Sequence, residues 1–384
     1  MIFDILVVMK DISRSLNMAQ ILKSKSCFLF GPRQTGKTSL ILQQFPNAKI
    51  IDLLLSDNYR KYNTSPERMR EEIDKEYDLI IIDEIQRVPE LLNEVHYLIE
   101  KKKIKFLLTG SSAKKLRKQG INLLGGRARS RNLHPFTKNE LGEEFNLQKA
   151  LEIGLLPSIY SSDSPWEDLG NYVGDYLETE IAAEGATRNI PAFSRFLEVA
   201  ALCNGQLINY SQIASDAEVK LATLRNYFEI LKETLIAYEL ESWKKSKTRK
   251  PINVSKFYFF DIGLVHLLQK RKTISPGTPE YGEAFEAYIF HELKTKIDYQ
   301  GEGTLFYWRS TSNFEVDFIL NEEIAIEVKA KKNITDKDLK GLKAIKEEQL
   351  LKRYICLSFE KEKRVIEGIE IMPFELFAKE FLVY

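Results

Sequence analysis

The chain has 384 residues, of which 44% are hydrophobic and 29% charged, so it is long enough for two or three domains that each bury a core. It has 56 lysines and arginines against 55 acidic residues, so the total charge points to no class of partner and only local charge can. The three cysteines, Cys27, Cys203 and Cys356, are far apart, which excludes a zinc site or a disulfide framework and predicts a reducing, cytoplasmic setting.

The first ten residues, MIFDILVVMK, contain an apolar run that is too short to span a membrane. They also lack the basic start and the small-residue cleavage site of a secretory signal, and Met9 is a candidate for the true start. No other stretch approaches the length of a transmembrane helix, so we expect a soluble protein with no membrane partner.

A glycine-rich loop follows the first strand-type segment. Cys27–Phe30 is a short apolar run, residues 31–38 read GPRQTGKT, and Ser39–Phe45 continues with helical character. This order predicts a P-loop that binds ATP, because backbone N–H groups around the glycines turn inward toward phosphate. Lys37 is expected to reach the β- and γ-phosphates and Thr38 to bind Mg²⁺. The predicted nucleotide-binding residues are Gly31, Pro32, Arg33, Gln34, Thr35, Gly36, Lys37, Thr38 and Ser39.

An acidic pair ends a second buried strand. Leu79–Ile82 is a continuous apolar run, as expected of a strand covered on both faces of a parallel sheet, and Asp83 and Glu84 follow it. Asp83 is predicted to hold Mg²⁺ through water, and Glu84 to polarise the water that attacks the γ-phosphate. The alternative is a buried strand that ends in two solvated acids, and the P-loop upstream weakens it.

A third predicted strand, Lys105–Leu108, leads into the polar sequence Thr109-Gly110-Ser111-Ser112. A polar side chain beside Asp83 can hydrogen-bond the γ-phosphate or the attacking water. Ser111 is the predicted sensor of the γ-phosphate and Thr109 is the second choice. An ordinary turn at the end of a strand is the alternative.

Four segments together resemble a family of prokaryotic AAA-type ATPases that is close to the archaeal ATPase clade. They read GPRQTGKT, IIIDEIQ, LLTGSS and LLGGRARSRNLHPFTKNEL, and the resemblance covers essentially the whole chain. Members of that family join the ATPase module to a C-terminal domain long described as of unknown function. The resemblance implies ATP hydrolysis with Mg²⁺.

The same resemblance implies an arginine near the nucleotide, at the Gly-Arg that precedes the PFTKNEL-like segment. Gly126-Arg127 matches that position, so Arg127 is the predicted arginine finger. It would act in trans, in a homo-oligomer such as a hexamer. Arg129 is the second choice, and an arginine in an ordinary surface ion pair is the alternative.

Positive charge is concentrated in residues 101–131, which contain no acidic residue. The eleven basic residues are Lys101, Lys102, Lys103, Lys105, Lys114, Lys115, Arg117, Lys118, Arg127, Arg129 and Arg131. This stretch predicts either a surface for polyanions or a subunit contact. The alternative is a solvated face that acids elsewhere neutralise.

The middle of the chain has the order of a winged helix. Residues 142–190 have the pattern of a helical connector, after which three helical patterns and two strands follow. These are Ala192–Cys203, Tyr210–Ala217, Lys220–Lys232, Leu235–Glu241 and Lys256–Phe260. The strands flank a basic turn with Lys244, Lys245, Lys247, Arg249 and Lys250. A winged helix predicts duplex or branched DNA as the partner, and a winged helix that binds protein is the alternative.

The C-terminal part resembles the PD-(D/E)xK nuclease fold. A helix that begins near Tyr281 carries Glu286, and the strands Thr304–Trp308, Phe314–Leu320 and Ile324–Ala330 follow it. Asp317 lies in the second of these strands and Glu327-Val328-Lys329 in the third.

Glu327 and Lys329 are two residues apart in a strand, so both point to one face, and Asp317 can meet them from the neighbouring strand. Glu286, Asp317 and Glu327, with the carbonyl of Val328, are predicted to bind Mg²⁺, and Lys329 to orient or activate water. The alternatives are a half-exposed strand with alternating acids, or a nuclease fold that has lost activity. Residues 336–384 add a helix, the strand Arg353–Ser358 and a closing helix.

The sequence thus predicts an α/β protein that begins with the parallel sheet of a P-loop NTPase. We expect an AAA-type ATPase domain in residues 1–145, a helical connector and winged helix in 146–270, and a restriction-endonuclease-like domain in 271–384. The predicted function is ATP hydrolysis that acts on DNA or is regulated by it. The alternatives are an ATP-gated, Mg²⁺-dependent DNA endonuclease and a nucleotide-controlled, protein-binding switch with an inactive nuclease-like domain.

Overall fold

The computed structural model describes residues 12–73, 77–112, 116, 124–181 and 189–383. The chain divides into two compact units, of which the first contains Met1–Phe136 with Glu233–Leu235, and the second Thr137–Lys232 with Ile236–Tyr384. Across the described residues, no helix combines the length and the apolar character that crossing a membrane requires. The apolar run at the start of the chain, with Met9, lies outside the described residues.

A five-stranded parallel sheet forms the core of the first unit. Its strands are β1 (Ser26–Phe30), β2 (Lys49–Asp52), β3 (Leu79–Asp83), β4 (Lys105–Gly110) and β5 (Ala128–Asn132). They lie in the order β2-β3-β4-β1-β5, and every neighbouring pair is parallel. Strands β1, β3 and β4 are buried almost throughout, which is why their sequences are continuous apolar runs. The three strands predicted for this region are confirmed.

Helices cover this sheet. They are α1 (Met18–Leu22), α2 (Lys37–Gln44), α3 (Ser56–Thr64), α4 (Arg68–Glu72) and α5 (Leu91–Lys102). Helix α5 buries Leu91, Leu92, Val95 and Leu98 in the same apolar cluster as the side chains of β1, β3 and β4. Helix α2 starts directly after the glycine-rich loop, as the sequence predicts.

The second unit begins with a helical region. Its helices are α6 (Lys138–Leu141), α7 (Leu147–Ile153), α8 (Pro157–Tyr160), α9 (Pro165–Asn171), a π-helical segment Tyr172–Ile181, α10 (Ile190–Leu202), α11 (Tyr210–Asp216) and α12 (Leu221–Glu233). Helices α10 to α12 confirm the three predicted helices of the middle region. Asn189 and Asn209 cap the first turns of α10 and α11 by accepting backbone N–H groups.

Two strands follow, β6 (Ala237–Leu240) and β7 (Lys256–Phe259), which pair antiparallel and confirm the predicted hairpin strands. The segment between them lies along strand β8 (Leu305–Arg309). Trp243 N donates to Tyr307 O at 2.7 Å, and Ile252 N donates to Arg309 O at 2.8 Å. The basic turn is therefore part of a larger β-structure and not the free tip of a wing.

One carboxylate holds this basic turn. Glu348 accepts hydrogen bonds from the backbone N–H groups of Lys247, Thr248 and Arg249 at 2.8, 3.0 and 3.0 Å, and from the hydroxyls of Ser246 and Thr248. Burial by itself raises the pKa of Glu348, but these donors outweigh burial and lower the pKa to about 2. An ionised Glu348 thus fixes the conformation of the turn.

A six-stranded mixed sheet completes the second unit. Its strands are β8, β9 (Glu315–Leu320), β10 (Ile324–Val328), β11 (Arg353–Ser358), β12 (Arg364–Ile366) and β13 (Ile369–Pro373), in the order β12-β13-β11-β10-β9-β8. The helices of this part are α13 (Ile262–Leu268), α14 (Pro279–Gln300), α15 (Lys340–Lys346) and α16 (Phe374–Phe381). The predicted fold class is confirmed, because a parallel sheet of the P-loop NTPase type is followed by helices and a C-terminal sheet domain.

Helix α14 carries a fully buried acid, Glu292. Its Oε1 accepts a hydrogen bond from Lys138 N, the first residue of α6, at 2.7 Å. Burial raises the pKa of Glu292 from 4.5 to about 7. In the unfolded chain this carboxyl loses its proton near pH 4.5, whereas in the folded chain it keeps the proton up to about pH 7. The folded state therefore binds more protons in this window, and its stability falls as the pH rises through it.

Glu292→Gln should abolish this loss, because glutamine does not ionise. A shift of this size corresponds to about 3 kcal/mol between about pH 5 and pH 8, to be measured by urea unfolding of the full chain. Glu302→Gln, at an exposed position, is the control and should keep the pH dependence of the wild type. If Glu292→Gln also keeps it, Glu292 is already ionised in the folded chain at low pH.

Candidate functional site

The glycine-rich loop is held by hydrogen bonds within itself. Thr35 Oγ1 donates to Pro32 O at 2.9 Å, and Lys37 Nζ donates to Gly31 O at 2.8 Å and to Pro32 O at 3.0 Å. Lys37 is buried, and burial lowers the pKa of its ammonium while Glu84 and Asp83 act in the opposite direction. An ammonium held by carbonyl oxygens can exchange them for phosphate oxygens, which are stronger acceptors because they are charged.

The two glycines of the loop are required by its geometry. A Cβ atom on Gly31 would lie 2.5 Å from Leu133 O, closer than atoms can approach. Gly36 has a φ of 89°, a left-handed conformation that side chains disfavour, directly before α2. Both positions therefore need glycine for the loop to reach the start of the helix.

Arg14 supports the loop from outside, and the sequence analysis missed it. Its guanidinium donates to Thr35 O at 2.6 Å and to His134 O at 2.6 Å, and it lies 5.2 Å from the ring centroid of Phe136. These partners are 21 and 120 residues away along the chain, so no local pattern in the sequence indicates the role.

The acidic pair lies beside the loop and is hydrogen-bonded to the neighbouring strand. Thr38 Oγ1 lies 3.4 Å from Asp83 Oδ2, and Thr109 Oγ1 donates to the other oxygen of Asp83. Glu84 N donates to Thr109 Oγ1 at 3.2 Å. Burial raises the pKa of Glu84, although the Lys37 ammonium lowers it in part. A hydroxyl and a carboxylate at the mouth of a P-loop suit Mg²⁺, which prefers oxygen ligands.

Gln86 and Ser111 form a second contact between the same strands. Gln86 Nε2 donates to Ser111 Oγ at 3.2 Å and also to Glu84 Oε2. A Cβ atom on Gly110 would lie 2.3 Å from Gln86 Oε1, so glycine at that position admits the amide. Thr109 thus contacts Asp83 and Glu84 directly, whereas Ser111 contacts Glu84 only through Gln86. The sensor role of Ser111 stays a prediction, and Gln86 was not predicted at all.

Arg127, the predicted arginine finger, is far from the loop of its own chain. It precedes β5, where Ala128 pairs with Ser26 at the start of β1, while the loop follows Phe30 at the other end. Four strand residues separate these ends by about 13 Å. The Arg127 guanidinium forms an ion pair with Glu100. Its predicted role therefore requires a second chain and stays a prediction.

The rest of the basic stretch is described only in part. Lys114, Lys115, Arg117 and Lys118 lie outside the described residues. Lys102 and Lys105 donate to the carbonyl oxygens of Ile73 and Lys23. Several of the described cations are thus engaged within the first unit.

In the basic turn between β6 and β7, two of the five cations have acidic partners. Lys245 pairs with Glu322, and Arg249 pairs with Glu347 at 2.5 Å. The side chains of Lys244, Lys247 and Lys250 are exposed, and no acidic group of the described chain lies within 4.0 Å of their ammonium groups. These three lysines form the exposed positive charge of the turn.

The predicted nuclease-type residues lie together in the second unit. Antiparallel register places Glu327 of β10 opposite Asp317 of β9, since Ile326 pairs with Phe318 next to them. Lys329 Nζ donates to Glu327 Oε1 at 2.5 Å, and Val328 N donates to Asp317 Oδ2 at 2.8 Å. We call Glu286, Glu315, Asp317 and Glu327 the carboxylate cluster. Burial and repulsion from Glu327 and Glu286 raise the pKa of Asp317 well above its usual range.

A lysine that the sequence analysis did not assign lies inside this cluster. Lys256 Nζ is 2.7 Å from Glu315 Oε1, 3.2 Å from Glu286 Oε1 and 4.0 Å from Asp317 Oδ1. Burial disfavours its charge, yet the acids, Glu286 most strongly, raise the pKa of Lys256 above its usual range. Lys256 is the first residue of β7, more than 28 residues from any of these acids along the chain, so only the tertiary structure reveals the contact.

The carboxylate cluster as arranged does not fit a magnesium ion. Among the described residues, no three His, Cys, Asp or Glu side chains converge as metal ligands would. Lys256 lies between Glu286 and Asp317, and Lys329 occupies one oxygen of Glu327. The predicted Mg²⁺ set of Glu286, Asp317 and Glu327 therefore has two ammonium groups among its ligands.

Comparisons with known proteins agree with the first unit and name no activity for the second. Residues 23–142 match the family described as AAA domain. Residues 144–275 match a domain of unknown function (DUF8612), and residues 281–377 match a second one (DUF4143). Together with the P-loop, the acidic pair and the parallel sheet, the first match supports an AAA-type P-loop ATPase domain in the N-terminal part.

Two relatives are uncharacterized proteins of Mycobacterium tuberculosis and Mycobacterium bovis. Each is 26% identical to this chain over 247 residues, which cover 62% of this chain and 55% of the relative. The matched part thus spans little more than half the length of these relatives.

Among solved structures, a Walker-type ATPase of Pyrococcus abyssi has a TM-score of 0.42 at 16% identity, covering 66% of this chain and 93% of that one. A signal transduction ATPase with numerous domains from Pyrococcus horikoshii has a TM-score of 0.25 at 16% identity, covering 76% of this chain and 47% of that one. Scores this low support no conclusion about the present chain.

The hydrogen bonds at the end of β4 predict different effects for its two hydroxyls. Thr109→Val removes the donor to Asp83 and the acceptor of Glu84 N, so ATP turnover should fall roughly 10- to 100-fold, the value of a hydrogen bond to a charged group. Ser111→Ala leaves Asp83 and the backbone of Glu84 in place and should cost less than Thr109→Val. Steady-state turnover, with ATP affinity measured separately, checks this order. The opposite order would support Ser111 as the sensor of the γ-phosphate.

Proposed function

We propose that this chain is an ATPase that hydrolyses ATP at the P-loop of its first unit. The observation that carries the proposal is the continuous set of contacts from the loop through Thr38 and Asp83 to Thr109 and Glu84. Such a set joins phosphate binding to a candidate catalytic carboxylate, which a passive nucleotide-binding site does not need.

Each residue then has a defined part in the reaction. Backbone N–H groups of the loop and the Lys37 ammonium hold the phosphates, and Thr38 and Asp83 would hold Mg²⁺. The ion, when bound, neutralises charge on the β- and γ-phosphate oxygens. Glu84 orients and polarises the attacking water, and Thr109 keeps Asp83 and Glu84 in position. Arg127 of a second chain, in a homo-oligomer, would add charge at the γ-phosphate.

We further propose that DNA binds this ATPase and regulates its turnover. Support comes from the exposed lysines of the basic turn, Lys244, Lys247 and Lys250, and from Glu348, which accepts hydrogen bonds from the backbone between them at Lys247, Thr248 and Arg249. Clustered lysines without acidic partners attract phosphate groups. The order of α10, α11, α12, β6 and β7 supports a winged helix, although the turn lies along β8.

We retain three domains, 1–145, 146–270 and 271–384, as a proposal. The family matches at residues 23–142, 144–275 and 281–377 support it. A PD-(D/E)xK relationship of the last domain is supported by Asp317 on β9, Glu327 on β10 and Lys329 directly after β10. A nuclease function is the weaker candidate, because Lys256 lies among the acids that would bind the metal.

Glu84→Gln should still bind ATP but lose at least about 100-fold in turnover, because an amide cannot take a proton from water. Lys37→Ala should instead lose affinity for ATP, since the ammonium contacts the phosphates of bound nucleotide. Phosphate release with and without duplex, single-stranded and branched DNA measures both turnover and stimulation. Turnover of the Glu84→Gln variant equal to that of the wild type would overturn the proposed site, while unstimulated wild-type turnover would overturn only the DNA role.

The triple variant Lys244→Ala, Lys247→Ala and Lys250→Ala should weaken DNA binding at low salt. Each phosphate contact contributes about 0.9 to the slope of log affinity against log salt, so losing three should reduce the slope by about 3. The matched control removes three exposed lysines elsewhere in the second unit, Lys340, Lys361 and Lys379, and should keep the slope. Equal slopes for both triple variants would place the DNA contacts elsewhere. A wild type with no salt-dependent affinity would favour the protein-binding switch.

A further inference from the structure

Lys256 enters the carboxylate cluster from a segment outside the helix and sheet that supply the acids. It begins β7, the second strand of the hairpin that follows α12, whereas Glu286 lies on α14, Glu315 and Asp317 on β9, and Glu327 on β10. All of these elements belong to the second unit. The cluster is thus the place where the hairpin, the long helix and the C-terminal sheet meet.

The ammonium of Lys256 is enclosed by the acids. The residue is 3% exposed, and its Nζ lies 2.7, 3.2 and 4.0 Å from oxygens of Glu315, Glu286 and Asp317. An ammonium has three donor hydrogens and a compact charge, so it can serve several carboxylates at once. It also lies 5.7 Å from the ring centroid of Tyr307, whose face attracts cations.

Most oxygens that would face a metal ion have other partners. Tyr258 OH donates to Glu286 Oε1 at 2.6 Å, and Arg309 donates to Glu315 Oε2 at 3.0 Å. Val328 N donates to Asp317 Oδ2, and Lys329 donates to Glu327 Oε1. In the cluster, Glu327 Oε2 is the buried oxygen left without a hydrogen-bond partner among the described residues.

We propose that Lys256 is a built-in counter-ion that takes the place of a divalent cation between Glu286 and Asp317. The carboxylate cluster then binds no Mg²⁺ or Mn²⁺ while β7 is in position, although its acids and Lys329 have the nuclease-type arrangement. This inference is independent of ATP hydrolysis in the first unit. For the weaker nuclease candidate, it means that the C-terminal domain holds no metal ion while Lys256 occupies the carboxylate cluster.

Two physical reasons support the exclusion of a metal. Mg²⁺ requires an octahedron of oxygens at about 2.1 Å, and the acids here are spaced around a nitrogen at larger distances. A dication and an ammonium between the same carboxylates also repel each other strongly where water is excluded. A metal ion would therefore have to displace the Lys256 ammonium from the carboxylates that it contacts.

Removing the ammonium should open the site. We would measure Mn²⁺ binding to nucleotide-free chain by electron paramagnetic resonance of the free ion, with every chain carrying Asp83→Asn so that the P-loop contributes no site. The Asp83→Asn chain should bind Mn²⁺ only weakly. Adding Lys256→Met should create about one site per chain, with an affinity for Mn²⁺ at least about tenfold higher than that of the Asp83→Asn chain. Adding Asp317→Asn to that variant should abolish the gain.

The matched control is Lys256→Arg, which keeps a cation at the position and should gain no site. Mn²⁺ bound stoichiometrically by the Asp83→Asn chain and lost in Glu327→Gln would overturn the proposal. So would a folded Lys256→Met variant that gains nothing, because Lys256 would then not be what excludes the metal.

A second measurement needs no substitution at Lys256. Amine-specific labelling of the unsubstituted chain, read by mass spectrometry, should leave Lys256 protected relative to the exposed Lys244, with or without Mg²⁺. Protection that persists in Mg²⁺ supports the proposal. If Mg²⁺ increases the labelling of Lys256 and not that of Lys244, the ion displaces the lysine and the proposal fails.

Discussion

The nucleotide site depends on the parallel pairing of β1 with β4 and of β4 with β3. Parallel strands end at the same edge of a sheet, so the loop after β1, the acids after β3 and the hydroxyls at the end of β4 meet there. The order also decides partners, because Thr109 on the central strand β4 contacts the acids of β3 while β1 flanks its other side. Without this pairing the three motifs would be unrelated polar segments of a chain.

The second unit is joined by a different interaction, in which buried carboxyl groups accept hydrogen bonds from remote backbone N–H groups. Glu348 holds the basic turn, Glu292 holds the start of α6, and Asp261 accepts from Leu155 and Leu156. A buried carboxylate is costly unless hydrogen bonds or cations compensate it, so each one ties its segment to a defined position. In the carboxylate cluster the roles are exchanged, because a buried cation, Lys256, is compensated by the acids and ties β7 to them.

These contacts explain why the hairpin does not have the freedom that its sequence indicates. A wing with a basic tip is expected to project toward DNA, but Trp243 and Ile252 hydrogen-bond along β8, and Glu348 closes the turn. The exposed lysines are therefore presented by a fixed surface of the second unit. If DNA binds there, the backbone of the basic turn is already ordered. Binding then costs little conformational entropy of the protein.

Local patterns in the sequence were enough to predict the strands and helices that carry the nucleotide motifs, because each motif is short and its residues act through their own backbone. Gly31, Gly36 and Lys37 form the loop with neighbours a few residues away, and the apolar runs of β1, β3 and β4 indicate burial on both faces. The grouping of Asp317, Glu327 and Lys329 was also predictable, since strand spacing of two residues and antiparallel register decide it.

What the sequence by itself determined is thus the set of local elements and the chemistry of their ends. Only the tertiary structure decided which distant groups enter these sites: Arg14 beneath the P-loop, Glu348 at the basic turn and Lys256 among the acids. The physical reason is that hydrogen bonds and charge compensation act through space, so a buried polar or charged group is balanced by whichever donor, acceptor or cation the fold brings near. The separation of two residues along the chain does not indicate whether they become partners. Lys256 could therefore be assigned to the carboxylate cluster only from the folded chain.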